Sequence, residues 1–548
     1  MINKRAIINI LEELAFASLD GEILANSESL EFSLLIQTQE GEEPLSWKVS
    51  IMSPYPMKVN GHETIAFVNQ DLLSFPHITE EGNLCLHTVD ELTAELQFRQ
   101  DLIQLKSWVD KYYVNKEMDT HYENLVVNPT TVEGVEYHFL FTALKDELAL
   151  GDYGIVRLRP LLNSSKRETM TSTYLTCGFQ SSRIYKSEEK LCDWSSYYLS
   201  SFNCEFGAYC MLTKAPERYG KFILENFIDF NSIFTQAQKD FIYKVMRRPL
   251  IKDAVLYPLF CGYKTPDKRI YWQVILLDIT QPPMEGIKHP SPNGPIWLTT
   301  FKQKQIQWAS SIDSSYDYFF GRGAMPSELA HKKIFITGIG AVGSIVAKTL
   351  VRCGARYIDL FDYDVKEPGN VCRSEYEFVS GIGDKTLELQ EILCRVSPFV
   401  SCEVRSSLFD YLIKNLNPEK VRDVLNEYDV IFDCTTDNHL MVLLDSLSLK
   451  AQVVNLSVTN HAKELTCVFS PQIARCIEFL YNKILVQRES DMFNPSGCWN
   501  PTFKASYNDI SLMVQFALKH IIRMLSSLDP ISNFYLDEKE GILSIHRL

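Results

Sequence analysis

No pair of cysteines in this chain stands at C-x-x-C spacing, so a ribbon-type structural zinc site has no ligands to start from. No window of about 18 uninterrupted apolar residues occurs, and the N-terminal MINKRAIINILEELAFASLD is amphipathic and broken by acids, unlike a signal peptide. These absences point to a cytoplasmic protein with no membrane partner, whose 14 cysteines are not presumed paired. Most of those cysteines are expected to be inert core residues. A long Lys/Arg run is also missing and the net charge is -15, which argues against nucleic acid as a partner. Neither an internal repeat nor a low-complexity segment interrupts the sequence. What is present is 548 residues, 46% hydrophobic and 22% charged, enough for several domains with cores of their own.

The local pattern changes character along the chain. Residues 1–118 read as α+β: a helix over 4–17, strand-like runs at SLEFSLLIQT, LSWKVSIM and TIAFVN, and a helix over 91–115 where Leu102, Leu105, Val109 and Tyr112 recur at helical spacing. Residues 119–310 are mixed and aromatic-rich, with strand-like VEYHFLFTAL, AVLYPLF and IYWQVILLDI and a Pro-rich exit at QPPMEGIKHPSPNGP. Residues 311–548 read as α/β. KKIFITGIG is a strand running into a glycine turn, AVGSIVAKTLVRC a helix and YIDLFDYD a second strand. DVIFDCTTD and QVVNLSV follow as short apolar strands, the alternation of a parallel sheet with crossover helices. A closing helix over 508–527 carries Ile510, Met513, Ala517, Ile521 and Met524 on one face, a stripe expected to be core.

GIGAVG sets Gly338, Gly340 and Gly343 at G-x-G-x-x-G spacing between a strand and a helix. Glycine permits a tight turn and the close approach of a phosphate, and the free N–H groups and dipole of the helix start favour negative charge. Alone, the spacing fits a plain strand-to-helix turn equally well. The second strand, however, ends in Asp362, 19 residues past Gly343, where a carboxylate accepts hydrogen bonds from a ribose. A dinucleotide cofactor needs little beyond the turn, which keeps a NAD-dependent oxidoreductase open. ATP attacked at its α-phosphate needs cations and a carboxylate for Mg2+. Asp364, Asn370, Arg373 and Lys385 follow in DYDVKEPGNVCRSEYEFVSGIGDK, and Asp437 in DCTTDN follows a later apolar strand, so Asp362 and Asp437 are expected on one crevice. Taken singly, Arg373 and Lys385 read as solvated loop charges.

Together, G-x-G-x-x-G, Asp-x-Asp, Asn-x-x-Arg, the following Lys and Thr-Asp-Asn resemble the adenylating domain of ubiquitin-activating enzymes and their bacterial sulfur-carrier relatives of the ThiF type, over about 320–530. That resemblance implies a Rossmann-like adenylating domain that uses ATP and Mg2+ to couple a protein C-terminal carboxylate to AMP. It implies Asp362 on the ribose, Asn370, Arg373 and Lys385 on the phosphates and Asp437 on magnesium. It also implies that Arg322, in FFGRG, reaches the phosphates, in some members across a dimer. Ser374 stands where many members have Gln.

A thiol that takes an acyl group must be reachable, so Cys353, Cys434 and Cys467, inside apolar strands or helices, are poor candidates. Cys498, in NPSGCWNPTF, lies between two Asn-Pro steps in a non-regular loop ahead of the last helix. Thioester-forming members of the adenylating family carry their cysteine downstream of the magnesium aspartate, and that similarity assigns Cys498 as the acyl acceptor. FPHITEEGNLCLHT places Cys85 after a Gly-Asn turn. The segment is similar to the one around the catalytic cysteine of ubiquitin-conjugating enzymes, with coverage of about 1–115. His77 stands where those enzymes have an Asn that assists attack on the thioester. An imidazole there can donate to an oxyanion, serve as a base or simply pack.

In this order on one chain, the parts resemble the fused enzymes of bacterial antiphage operons with cyclic-oligonucleotide signalling, CBASS. The resemblance implies an inactive adenylation-like middle domain, a homodimer, and a target that is the signalling nucleotidyltransferase (CD-NTase), activated at its own C-terminus. The acyl group would pass from Cys498 to Cys85 and then to an amine such as lysine. Alternatives are a sister pathway acting on a small ubiquitin-like protein, sulfur transfer for cofactor synthesis, the oxidoreductase, and a non-catalytic nucleotide-binding scaffold.

Overall fold

The computed structural model describes the chain except residues 1, 40–41, 60, 80, 86–88, 118–128, 163, 167–168, 185, 201–203, 217–223, 248–254, 266–267, 291–293, 295, 415, 485–491 and 494–501. The first helix, Lys4–Glu13, starts on Asn3, whose side-chain oxygen accepts the Ala6 N–H, and it buries Ile7, Ile10 and Leu11. It stops short of the 4–17 expectation because the chain from Ala17 enters a strand, Ala17–Ala25, that pairs antiparallel with Ser29–Ile36. Leu45–Met52 and Ile65–Val68 complete a four-stranded antiparallel sheet in sequence order. The helix Ala94–Trp108, capped by Thr93, runs into a π-helical turn, Val109–Val114. Its stripe of Phe98, Leu102, Leu105, Val109 and Tyr112 joins Trp47 and Phe67 in one core.

In the middle of the chain a mixed sheet runs in the order Val135–Phe141, Trp308–Asp313, Ile270–Asp278, Leu256–Lys264, Glu205–Met211, Tyr153–Pro160, Thr169–Ser181. Because Val135–Phe141 also pairs with Thr169–Ser181, the sheet closes on itself. Leu256–Lys264 and Ile270–Asp278 are buried on both faces, the reason they read as continuous apolar runs. Phe139, Phe179, Tyr209, Phe260 and Trp272 pack ring on ring, with Phe179 stacked on Trp272 at 4.5 Å.

The last sheet has the order Ser401–Val404, Tyr357–Phe361, Lys333–Thr337, Val430–Asp433, Gln452–Thr459, Glu464–Phe469, Phe534–Lys539, Ile542–Arg547. The first five strands are parallel and the rest antiparallel. The chain winds outward in one direction from Lys333–Thr337 and in the other from Val430–Asp433, so the topological switch point falls between those two strands. The helices Ala341–Arg352 and Tyr507–Leu525 pack together on this sheet, and Ile510, Met513, Ala517, Ile521 and Met524 are buried as the spacing predicts. The chain is thus multidomain, α+β at its start and α/β at its end. Among the described residues no helix is long and apolar enough to cross a membrane.

Candidate functional site

The buried strand Lys333–Thr337 delivers the chain to Gly338 at φ +76°, where a Cβ would sit 2.6 Å from Thr435 Cα. A Cβ on Gly343 would sit 2.2 Å from the Gly338 carbonyl oxygen, so the helix starts hard against its own turn. Gly340 is different: a Cβ there meets nothing within 4 Å. It heads the helix Ala341–Arg352 with no side-chain cap, which leaves a positive helix end facing open space.

Asp362 pins this turn from the neighbouring strand. One of its oxygens accepts the Ile339 N–H at 2.9 Å and the other the Asp364 N–H at 2.8 Å. The Tyr376 hydroxyl donates to the Ile339 carbonyl at 2.6 Å from the other side. Burial raises the Asp362 carboxyl above its ordinary pKa, against the Asp364 N–H and the Lys385 charge, which lower it. Lys385 heads the helix Lys385–Val396 with its side chain buried, and its Nζ donates to Asp364 Oδ2 at 3.0 Å. Asn370 accepts the Glu367 N–H at 2.9 Å in a capping box on the short helix Pro368–Val371, so its amide oxygen already serves the fold. Arg373 is half-buried just beyond, and Ser374 is buried with its hydroxyl on the Asn370 carbonyl.

Across the switch point, Asp437 caps the helix Asn438–Ser446, its Oδ1 accepting from His439 and Leu440. The Tyr363 phenol titrates above its ordinary value through burial and then the charges of Asp364, Asp437 and Asp362, which therefore share one electrostatic neighbourhood. Sequence reasoning passed over the support beneath. Buried Asp433 accepts the Thr435 hydroxyl at 2.7 Å and the Asn455 amide at 2.9 Å, and Thr435 in turn accepts the Asp437 N–H at 3.1 Å. Only the DCTTD spacing hinted at Asp433, and Asn455 lies on the next strand. Arg322 is exposed ahead of the sheet, and among the described residues no ion pair or hydrogen bond links it to this group.

Magnesium usually takes one or two carboxylates plus phosphate oxygens and keeps several waters. No cluster of three or more His, Cys, Asp or Glu forms a ready-made cage among the described residues. Asp437, with its second oxygen outside the helix cap, fits the one-carboxylate pattern.

Burial pushes the Cys353 thiol up, and Cys434 and Cys467 still further, so none of them is a ready thiolate. Cys85 is half-buried at the end of a short bridge between Ile78 and Leu84, and its N–H donates to the His77 carbonyl at 2.8 Å. His77 holds φ +59°, and its Nε2 lies 3.1 Å from the Tyr112 hydroxyl. Cys498 lies outside the described residues.

Known proteins resemble the chain most clearly at this sheet. The ThiF family model matches residues 318–527. The ATP-dependent ubiquitin transferase-like protein Cap2 of Enterobacter hormaechei subsp. hoffmannii is 26% identical over 50% of this chain and 47% of its own length. Ubiquitin-like modifier-activating enzyme 5 of Caenorhabditis elegans is 30% identical over 19% of this chain and 26% of its own length. The chain thus spans about half the length or less of these relatives. Among solved structures, E. coli MccB with succinimide covers 40% of this chain and 64% of its own, at 17% identity and a TM-score of 0.29. The glycine turn, the strand order around it and the family match agree: residues 318–527 are a ThiF-family domain.

Proposed function

We propose that this protein is an ATP-dependent protein-conjugating enzyme, homodimeric and cytoplasmic, that adenylates a protein C-terminus and passes it through Cys498 and Cys85 to an amine. The observation that carries the reading is the switch-point cluster, where the glycine turn, Asp362, Asp364 and Lys385 stand across from Asp437. In the first step the target's terminal carboxylate oxygen attacks the α-phosphorus of ATP and pyrophosphate departs. The helix start at Gly340 receives phosphate oxygens, Asp362 orients the ribose, and Lys385 and Arg373, with Arg322 on the triphosphate, oppose the charge that builds in the transition state. Magnesium, held by Asp437, would neutralise further phosphate charge.

The Cys498 thiolate then attacks the acyl carbon and AMP leaves. Cys85 takes the acyl group by thioester exchange, and a lysine amine ends the relay with an amide. The similarity to Cap2 supports a CD-NTase as the target, in antiphage defence of the CBASS type. The similarity to ubiquitin-like modifier-activating enzyme 5 supports a second reading, with a small ubiquitin-like protein as the target.

The test combines ATP, magnesium and each candidate target with the wild type and with Cys85→Ala and Cys498→Ala. Loss of Cys498 is expected to abolish every reductant-sensitive adduct, and loss of Cys85 to leave one. Full conjugation by both variants sinks the relay, and absence of ATP–pyrophosphate exchange sinks the adenylation.

A further inference from the structure

We infer that Glu375 is a positioning residue for the proposed adenylation: it clamps the segment that carries Arg373 to the helix Ala341–Arg352 on one side and to the helix Tyr507–Leu525 on the other. The inference rests on the reading of Arg373 as a ligand of the ATP phosphates. Between the short helix Pro368–Val371 and the turn Phe378–Ser380 the chain forms neither strand nor helix, so no backbone ladder holds Arg373 in place. Side chains take over that task.

The Glu375 N–H donates to Ser344 Oγ at 3.2 Å, and Lys348 Nζ donates to Glu375 Oε2 at 2.6 Å. Ser344 and Lys348 stand one turn apart on a single face of their helix, so that helix grips both the backbone and the carboxylate of one residue. The Tyr507 hydroxyl donates to the other carboxylate oxygen, Oε1, at 2.6 Å. One carboxylate thus takes a donor from each of two helices that pack on each other. The chain is tied on either side of it as well. Buried Ser374 donates to the Asn370 carbonyl at 2.5 Å, and buried Tyr376 donates to the Ile339 carbonyl, within the glycine turn, at 2.6 Å.

The Glu375 and Lys348 side chains are only 10% and 23% exposed, so solvent screens the pair weakly and removal of one partner strands the other. The hydrogen bond to Glu375, and then burial, push the Tyr507 phenol up to about 12, which keeps it a donor at any working pH. Attack at the α-phosphorus builds negative charge on the phosphate oxygens, and a guanidinium opposes that charge best from a fixed place. A misplacement of about 1 Å costs up to about 100-fold in rate. Glu375, two residues from Arg373 and held from both helices, supplies that fixity.

Titration calorimetry of the full-length protein with magnesium and α,β-methylene-ATP, an analogue that is not cleaved at the α-phosphorus, tests the clamp without a target protein. Arg373→Ala is expected to weaken binding about 30-fold. Glu375→Gln, which keeps the shape of the side chain, is expected to weaken it about tenfold, and Tyr507→Phe and Lys348→Met, which each remove one tie, about threefold. The deciding measurement is the double variant. Added to Arg373→Ala, Glu375→Gln should cause no further loss, whereas added to Asp437→Ala, across the switch point, its loss should appear in full. Additive losses with Arg373→Ala, or wild-type affinity in Glu375→Gln, overturn the inference and leave Arg373 as a phosphate ligand. Equal coupling to Arg373 and Asp437 marks Glu375 as a prop of the fold alone and overturns it too. Wild-type affinity in Arg373→Ala overturns the reading of Arg373 itself.

Discussion

At Gly343 and Gly340 the same added methyl group meets opposite surroundings. In Gly343→Ala the Cβ collides with the Gly338 carbonyl, a rigid backbone atom, and the turn must open. Overpacking of this kind costs about 1–3 kcal/mol, so the variant should melt earlier and bind ATP weakly. In Gly340→Ala the Cβ meets open space, so the melting temperature should hold while titration calorimetry shows ATP affinity falling, because the methyl group occupies the approach of a phosphate. Equal ATP affinity in Gly340→Ala and the wild type would place the phosphates elsewhere. Asp362 supplies a second test. Burial holds its proton to a higher pH than the ordinary aspartate value of about 3.9, so between the two values the folded state binds more protons than the unfolded one. Its protonated form therefore contributes stability that is fully present below the ordinary value and lost as pH rises through the raised one. In the proposed ribose contact a hydroxyl would donate to the ionised carboxylate, so ATP binding would lower the pKa and expel a proton. At a pH between the ordinary aspartate value and the raised one, the heat of ATP binding should vary with the ionisation enthalpy of the buffer, and in Asp362→Asn that dependence should disappear. The glycines and Asp362 were legible because their spacing along the chain is their geometry. Asp433 and Asn455 were not, since what joins them is strand register across 22 residues.

Among the elements, the helix Tyr507–Leu525 was readable from its period alone, and the structure adds what fixes its start. Ser506 and Asp509 form a reciprocal capping box, the Tyr507 hydroxyl donates to Glu375 at 2.6 Å, and Gln515 donates to Thr349 at 2.6 Å on the helix that follows the glycine turn. Ser506→Ala should cost about 1 kcal/mol through the lost cap, and Met513→Ala about 2–5 kcal/mol through a cavity in the core beneath the helix. Urea unfolding measures both, and near-equal values would mean that the helix start, not its apolar face, holds it in place. Other elements were hidden for physical reasons. Thr169–Ser181 is rich in Thr and Ser, lacks clean alternation, and is a strand because partners on both sides satisfy its backbone. Asn460, His461 and Ala462 hold φ of 49°, 56° and 63° in succession, a left-handed turn without a single glycine, braced by the His461 ring on the Lys504 carbonyl at 2.6 Å. Local propensity argues against such a turn, so only tertiary contacts reveal it.

Across the whole molecule, the order of an α+β start, an aromatic middle and an α/β end could be read from the pattern of the chain, but the joint between the last two could not. Its residues are far apart in sequence. The Arg356 guanidinium lies over the Tyr316 ring at 4.1 Å and places two N–H groups on Asp193, each at 3.2 Å. The Ser195 N–H donates to the Pro398 carbonyl at 2.8 Å, and Trp194 packs against Phe399 at 5.3 Å. Phe320 and Phe399 belong to the hydrophobic core of the closed middle sheet, although the chain around them serves the ThiF-family sheet. Two sheets that share core side chains should melt as one unit. Arg356→Ala removes the stacked, doubly bonded cation and leaves the aromatic contact, at a cost of about 1–2 kcal/mol for a half-buried charged hydrogen-bond pair. The expected calorimetric trace therefore remains a single, earlier transition. In Phe399→Ala, which empties the shared core, two separate transitions are expected, with Trp194 fluorescence following the first. The reverse outcome, separation on loss of Arg356 and none on loss of Phe399, would mean that charge and not packing couples the middle of the chain to its ThiF-family end.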